Sequence, residues 1–535
     1  MNSMIYDPLE EFESKFKGLH LENTKKYLDE LVERSGVDPN KNRCTLNEHA
    51  ILKEDTSKKK KSLNLWRFLR VLMIISLVLI PLVIIKTTPK IKEMRKEIEQ
   101  STAKLEELME LARQQMQPLN DLFSSRDALN IIERTIPLIS FAPCFSAEQE
   151  TDMALNYDFT YDNYRERSTI GILSGHYNEN PFFFENTLSH KMGTEVYHGY
   201  KTIYWTESYR GADGKRHTVR RSQTLHASVT KPKPFYSTQN ALYYCSLGGP
   251  DLSFTRDATH LEAKSDKQID RYVKKGEKKL KKMSDKAAKQ NSTFTSMSNS
   301  DFEVLFDALD RTNELQFRTL FTPLAQTNMV SLIRSRTGYG DDFDFTKRKK
   351  TNKIVSQHSQ KRSLTLFPAS YHSHSFDVIK ESFISKNIDF FKSVYFDFAP
   401  IWAIPIYQER PVHSLKPIPK IPRKYSQKQS EVMSNKIPTR YTVHPHSKTQ
   451  AIIKATLVGS NGDIDEISVT SYSYNTRGRV DHIPVFGGDG RMHMVPVHWD
   501  EYIPLQATNN FYVAPLALTA GRNILAIHND ICIFN

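Results

Sequence analysis

The hydrophobic pattern of this chain contains one uninterrupted apolar run, several stripes at helical spacing and several stretches that alternate with period two. The run is Phe68–Ile85, FLRVLMIISLVLIPLVII. At 1.5 Å per residue it would span about 27 Å as a helix, close to the ~30 Å hydrocarbon core of a bilayer. Val71–Ile85 has no polar face, Arg70 lies within one turn of an end where its stem would snorkel, and Trp66 lies at interfacial depth. These features predict a membrane anchor built on Trp66, Phe68, Arg70, Val71 and Ile85, with Pro81 tolerated in mid-span. No small-x-small cleavage site follows the run, so a cleaved signal peptide fits worse. Seven basic residues in Ile51–Arg70 nearly balance six in Lys86–Leu105. The Lys58–Lys61 cluster tips the expected topology towards a cytoplasmic N-terminus and a C-terminal body outside.

Helical periods flank the run. Leu9, Phe12, Phe16 and Leu19 mark one face, and Thr24–Arg34 reads as a second short helix ended by Gly36 and Pro39. After Pro89, placing Ile91 at a heptad a position makes eight of ten a and d positions apolar through Leu122, with Ser101 and Gln115 the polar exceptions. That is coiled-coil patterning. It predicts either a self-associating stalk, a homo-oligomer through residues 89–117, or a helix packed on its own downstream domain. Lys264–Gln290 carries eleven Lys/Arg against four Asp/Glu, yet Ile269, Val273, Gly276, Leu280, Met283 and Ala287 recur at helical spacing. Ser300–Arg334 is strongly helical, with Asp301 as N-cap and Pro323 dividing it in two.

Period two appears in Lys201–Tyr209 and His217–Thr230, which flank Gly211-Ala212-Asp213-Gly214. Ile203, Trp205, Val219, Leu225, Ala227 and Val229 face one way, with Thr, Ser and Arg the other. A β-hairpin with one wet face follows, in a sheet of four to six antiparallel strands. Strands return in Thr439–Tyr474 around the turn Asn461-Gly462-Asp463, and six prolines between 400 and 423 favour extended backbone or a hinge.

The expected fold class is α+β: a single transmembrane helix, a juxtamembrane coiled-coil-like helix, then a mixed body of antiparallel sheet and helix. The expected divisions are a tail (1–57), a basic flank with the anchor (58–88), the stalk (89–126), an α+β body (127–399), a Pro-rich linker (400–438) and a β-rich C-terminal region (439–535). A net charge of +13 points to acidic partners, namely membrane lipid, an anionic polymer or, ranked behind them, nucleic acid. Lys274, Lys275, Lys278, Lys279, Lys281 and Lys282 are the candidate contacts, with Lys347–Arg362, seven basic residues and no acid, as a second patch. High Lys, Ser and Asn with only 20 Gly resembles a low-GC bacterial coding bias. Four cysteines, Cys44, Cys144, Cys245 and Cys532, make neither a disulfide framework nor a C-x-x-C pair.

No phosphate-binding loop, G-x-S-x-G elbow or H-E-x-x-H helix occurs. No catalytic residue, cofactor or metal ligand is therefore nominated. Weaker groupings are the pairs His372/His374 and His444/His446, the group His493, His498 and Asp500, and the oxygen-rich turn Asn461, Asp463, Asp465 and Glu466. The leading expectation is a single-pass, non-enzymatic scaffold or interaction module of the cell envelope. A binder of nucleic acid or anionic lipid through 264–289 and 347–362 comes second, and a metal-dependent hydrolase third.

Overall fold

The computed structural model describes residues 4–75, 80–160, 165–212, 214–289, 297–411, 415–518, 524–528 and 531–534; for 72–75, 80–86, 287–289 and 528 it describes the backbone alone. Asp7 caps α1 (Pro8–Glu11) by accepting the Leu9 and Glu10 amides, and a π-helical turn (Phe12–Phe16) leads into α2 (Lys17–Ser35). Then come α3 (Pro39–Ile75), α4 (Ile80–Leu122), α5 (Asp127–Thr135), β1 (Ile139–Phe141) and α6 (Ala147–Tyr157). Strands β2 (Arg167–Tyr177), β3 (Asn180–Arg210), β4 (Arg216–Cys245) and β5 (Ser253–Arg256) precede α7 (Asp266–Lys289), α8 (Ser300–Phe306), α9 (Glu314–Leu320) and α10 (Pro323–Arg334). Next are β6 (Phe343–Arg348), β7 (Thr351–Ser356), α11 (Phe376–Trp402), α12 (Gln427–Ser434) and α13 (Thr439–Thr442). The chain closes with β8 (Ile452–Asn461), β9 (Ile464–Phe486), β10 (Met492–Pro515), β11 (Ile524–His528) and β12 (Ile531–Phe534).

Two antiparallel sheets result, ordered β1-β2-β3-β4-β7-β6-β5 and β11-β12-β10-β9-β8. The run Phe182-Phe183-Phe184 shows why the first is covered on both faces: alternate side chains in a strand point opposite ways. Phe182 and Phe184 meet Phe398 of α11, with ring centroids 4.9 and 5.5 Å away, while Phe183 packs on Phe145 near α6. The hairpins β3–β4 and β9–β10 run beyond their sheets and stack on one another through Ile203, Leu225, Ala227, Val495 and Val497. At about 3.3 Å per residue the 31 residues of β3 reach roughly 100 Å. A Cβ at Gly199 would lie 2.1 Å from the Pro496 carbonyl oxygen, so this crossing requires glycine. The alternation read from Ile203 to Val229 and the Asn461-Gly462-Asp463 turn are both found, the first in a hairpin far longer than expected.

The membrane span is corrected. Among the described residues no helix is long and apolar enough to cross a membrane. The run is shared between the end of α3 and the start of α4; residues 76–79 lie outside the described residues. These helices pair antiparallel: Lys59 meets Glu97 at 3.4 Å, Lys104 meets Glu48 at 3.2 Å, and Gln115 donates to Thr45 at 3.0 Å. Of the anchor residues, Trp66 is half-buried under the Lys90 ammonium, 4.5 Å from its ring, Arg70 is half-buried, and Phe68 and Val71 are exposed; the Ile85 side chain lies outside the described residues.

The N-terminal stretch decides against the single-pass topology. Ile5, Phe12 and Phe16 belong to the same buried cluster as Phe391, Tyr395 and Trp402. Gln408 knots them together: its amide oxygen accepts the Ile5 amide and the Tyr177 hydroxyl, each at 2.8 Å, and its nitrogen donates to the Ile5 and Trp402 carbonyls. Segments sharing one core cannot lie on opposite sides of a bilayer. A cytoplasmic N-terminus with the body outside is therefore not supported.

Other expectations shift too. Leu108, Ala112 and Leu119 of the heptad seam are buried, as are Ile91 and Ile98, which pack with Leu63 of α3. The seam is thus covered within the chain. Ser300–Arg334 forms three helices rather than two; Asn299, not Asp301, caps α8, and Thr322 with Pro323 opens α10. Pro400 sits in the last turn of α11, and α12, within the stretch read as linker, is buried.

Removing residues 1–35 tests this arrangement. Ile5, Phe12, Phe16, Tyr27, Leu28 and Leu31 are all buried, and such side chains contribute roughly 1.5–3 kcal/mol each, a sum comparable with the 5–15 kcal/mol stability of a whole domain. Calorimetry of the truncated chain should show the cooperative transition lost or strongly lowered. A detached tail would leave it unchanged.

Candidate anion-binding face

α7 shows why a strongly basic segment still folds onto the protein. Ile269, Val273 and Leu280 are buried in the main core. Gly276 falls in the same stripe, and a Cβ there would lie 2.3 Å from Val304 Cγ1, so α7 meets α8 at near-backbone distance. Three of its four acids turn towards the body: Asp266 pairs with Arg336 at 3.1 Å, Asp270 with Arg334 at 3.0 Å, and Glu277 accepts the Ser300 hydroxyl at 2.6 Å, while Asp285 is exposed on the outer face. Lys274, Lys275, Lys278, Lys279, Lys281 and Lys282 are all exposed. At 100° per residue they fan out opposite the buried stripe. Among the described residues none of the six forms an ion pair, while Asp266 and Asp270 of the first turns do. Lys275 and Lys279 overhang a cleft of about 450 Å³ floored by Tyr272, Leu280, Val304 and Leu309. Burial pushes the Asp307 carboxyl at its edge upward, opposed by Lys279 and Arg256.

The second basic segment has the opposite fate. Lys347–Arg362 forms the β6–β7 hairpin and the turn after it, and much of its charge points inward. Lys347 is 0 % exposed, donates to the Gly248 carbonyl at 2.9 Å and lies 5.2 Å from the Tyr407 ring centre. Burial lowers its pKa from 10.5 to about 7. Lys350 is tied to the Asn156 carbonyl and to Asp158, Arg362 pairs with Asp397 at 2.6 Å, and His358 stacks on Tyr339 at 3.8 Å while meeting Asp342 at 2.6 Å. Only Arg348, Lys349 and Lys361 of the seven basic residues remain exposed. This segment is core and rim, not a second patch.

The weaker groupings do not assemble. Among the described residues no three His, Cys, Asp or Glu side chains come together as metal ligands. His444 and His446 lie with ring centres 5.5 Å apart, and His372 stands beside Phe123 while the His374 carbonyl accepts from Asn42. His493 pairs with Asp489 at 2.9 Å. Strand alternation sends His498 and Asp500 to the other face of β10. In the oxygen-rich turn, Asp463 pairs with Lys424, and Asp465 accepts the Tyr425 amide and the Ser460 hydroxyl. All four cysteines are free thiols.

One cluster had no sequence signal. Glu185 of β3 and Glu431 of α12 are buried and pair with Lys428 and Lys454, each at 2.5 Å, around a cavity of about 60 Å³. Thr169 of β2 donates its hydroxyl to Glu185 at 2.6 Å and its amide to Glu431 at 3.0 Å. Burial pushes the Glu431 carboxyl up, and Lys454 opposes it. These residues lock α12 between β2, β3 and β8, and so join the two sheets. Their positions, up to 285 residues apart, meet only in the fold.

Compared with known proteins, the chain matches no family model, no curated protein and no solved structure.

Lys347 gives a pH test. The unfolded chain keeps this proton up to about 10.5, whereas the folded protein releases it above about 7. Between those values the unfolded state binds more protons, so stability rises with pH as the penalty of a buried charge is relieved. Urea unfolding should show wild type gaining on Lys347→Met from pH 7 towards 10, with a constant difference below 7. A difference that stayed flat throughout would refute the buried, depressed lysine.

Proposed function

We propose that this protein binds an acidic polymer along the outer face of α7. One observation carries the reading: six exposed lysines, against the single exposed acid Asp285, on the outer face of a helix whose apolar stripe and other three acids are already engaged with the body. A rigid row of ammonium groups suits a chain of phosphates or carboxylates, because each contact releases a condensed counterion and none demands a particular sequence. An amphipathic helix that lies in a lipid surface must place its own apolar face among the acyl chains. Ile269, Val273 and Leu280 are not free to do so, which favours a polymer over a bilayer.

The test is the salt dependence of binding to fluorescent oligo(dT). Changing the six lysines to Gln keeps good helix formers in place. For single strands the slope of log K against log salt should shrink by about 0.7 for each phosphate contact removed, with weaker binding at every salt concentration. An unchanged slope in the variant, or no binding by wild type at low salt, would overturn the reading.

A further inference from the structure

The β3–β4 ribbon carries a second surface, separate from α7. In its register even-numbered residues pair with even-numbered ones, so Tyr200 lies opposite His226 and Tyr204 opposite Ser222. The odd positions of the outer arm carry the side chains packed on β9–β10, such as Ile203, Leu225 and Ala227. The even positions from 196 to 210 and from 216 to 230 are all exposed. None of them is Asp or Glu. Tyr200 is 64 % and Tyr204 65 % exposed, a high value for rings held on a paired strand. Each ring is propped from one side: the Arg220 guanidinium lies 5.4 Å from the Tyr204 centre, and the His226 ring lies 4.9 Å from that of Tyr200. His198 in turn meets His226 at 2.9 Å. Thr202 and Thr224 bond across the strands between the two tyrosines, and Arg210 and Arg216 end the row at the hairpin tip.

From this arrangement we infer that the outer face of the β3–β4 arm binds single-stranded nucleic acid, with bases stacked on Tyr200 and Tyr204. Three features meet there. Open aromatic faces on a rigid sheet accept the π-face of any base, and guanidinium groups beside them meet phosphates. The row has no carboxylate to repel a polyanion. Tyr200 and Tyr204 are four residues apart on one strand, about 13 Å, a span that an extended strand bridges with unstacked nucleotides between the two anchored bases. A duplex keeps its bases stacked inside and cannot offer them to these rings.

The full chain would be titrated with oligo(dT), with an abasic deoxyribose-phosphate polymer of equal length and with a duplex. Tyr200→Ala/Tyr204→Ala should weaken oligo(dT) binding by about tenfold or more, since stacking is worth about 1–3 kcal/mol per base. Binding of the abasic polymer and of the duplex should not change. Tyr200→Phe/Tyr204→Phe, which keeps the rings, should restore oligo(dT) binding. Equal oligo(dT) affinity in wild type and the Ala variant would overturn the inference, as would an equal loss for all three polymers. The six-lysine variant should weaken the oligo(dT) and the abasic polymer alike. Failure of that result alone would remove the α7 reading and leave the arm untouched.

Discussion

The aromatic helix α11 is the contact on which the rest of the structure depends. One side of its C-terminal half meets the seven-stranded sheet: Phe398 lies against Phe182 and Phe184, and Trp402 against Tyr177 and Phe398. The other side receives the N-terminal helices. Phe12 packs between Tyr395 and Phe396, both 4.9 Å away, and the Tyr395 hydroxyl donates to the Pro8 carbonyl. His20 stacks on Phe391 at 3.9 Å, and burial drives its pKa to about 3, so it stays neutral there. Such large rings bury much apolar area in fixed edge-to-face and stacked geometries. Residues 5–35 are therefore part of the body, and that fact alone removes the single-pass topology.

Charge in this protein is sorted by where it is held. Lys347, Arg256 and Glu431 are enclosed and each has a dedicated partner: the Gly248 carbonyl, Asp341 and Lys454. Removing one member of such a pair leaves a buried group unpaired, so these residues specify how loops and sheets fit together. The α7 lysines and the arginines of the β3–β4 arm have no such role. They remain exposed to water, with Arg221 paired to Glu207 on the same arm.

Local patterns were legible where a segment's own period matched its final surroundings. The alternation of Ile203 to Val229, the Asn461-Gly462-Asp463 turn and the stripe of α7 needed no information from elsewhere in the chain. Other signals were present but unread. Phe383, Phe390, Val394, Phe398 and Trp402 recur at intervals of seven and four, a helical stripe within what looked like a mixture of aromatic and polar residues. Asp307 to Asn313 interrupt the helical period of Ser300–Arg334, with Asp307 at φ 51° closing α8.

The sequence by itself determined short-range choices such as the alternating faces of the β3–β4 arm, the Asn461-Gly462-Asp463 turn and the apolar stripe of α7, because these follow from the 3.6- and 2-residue periods and from turn chemistry. Tertiary structure alone decided what each apolar face would meet. The run at 68–85 looked like a bilayer span by length and hydropathy, yet Ile5 and Phe12 share a core with Trp402, a relation no local window contains. Likewise Lys347 and Lys274 are the same residue type in comparably basic stretches. One is buried beside Tyr407 and the other stands in water, because burial depends on what packs against a segment.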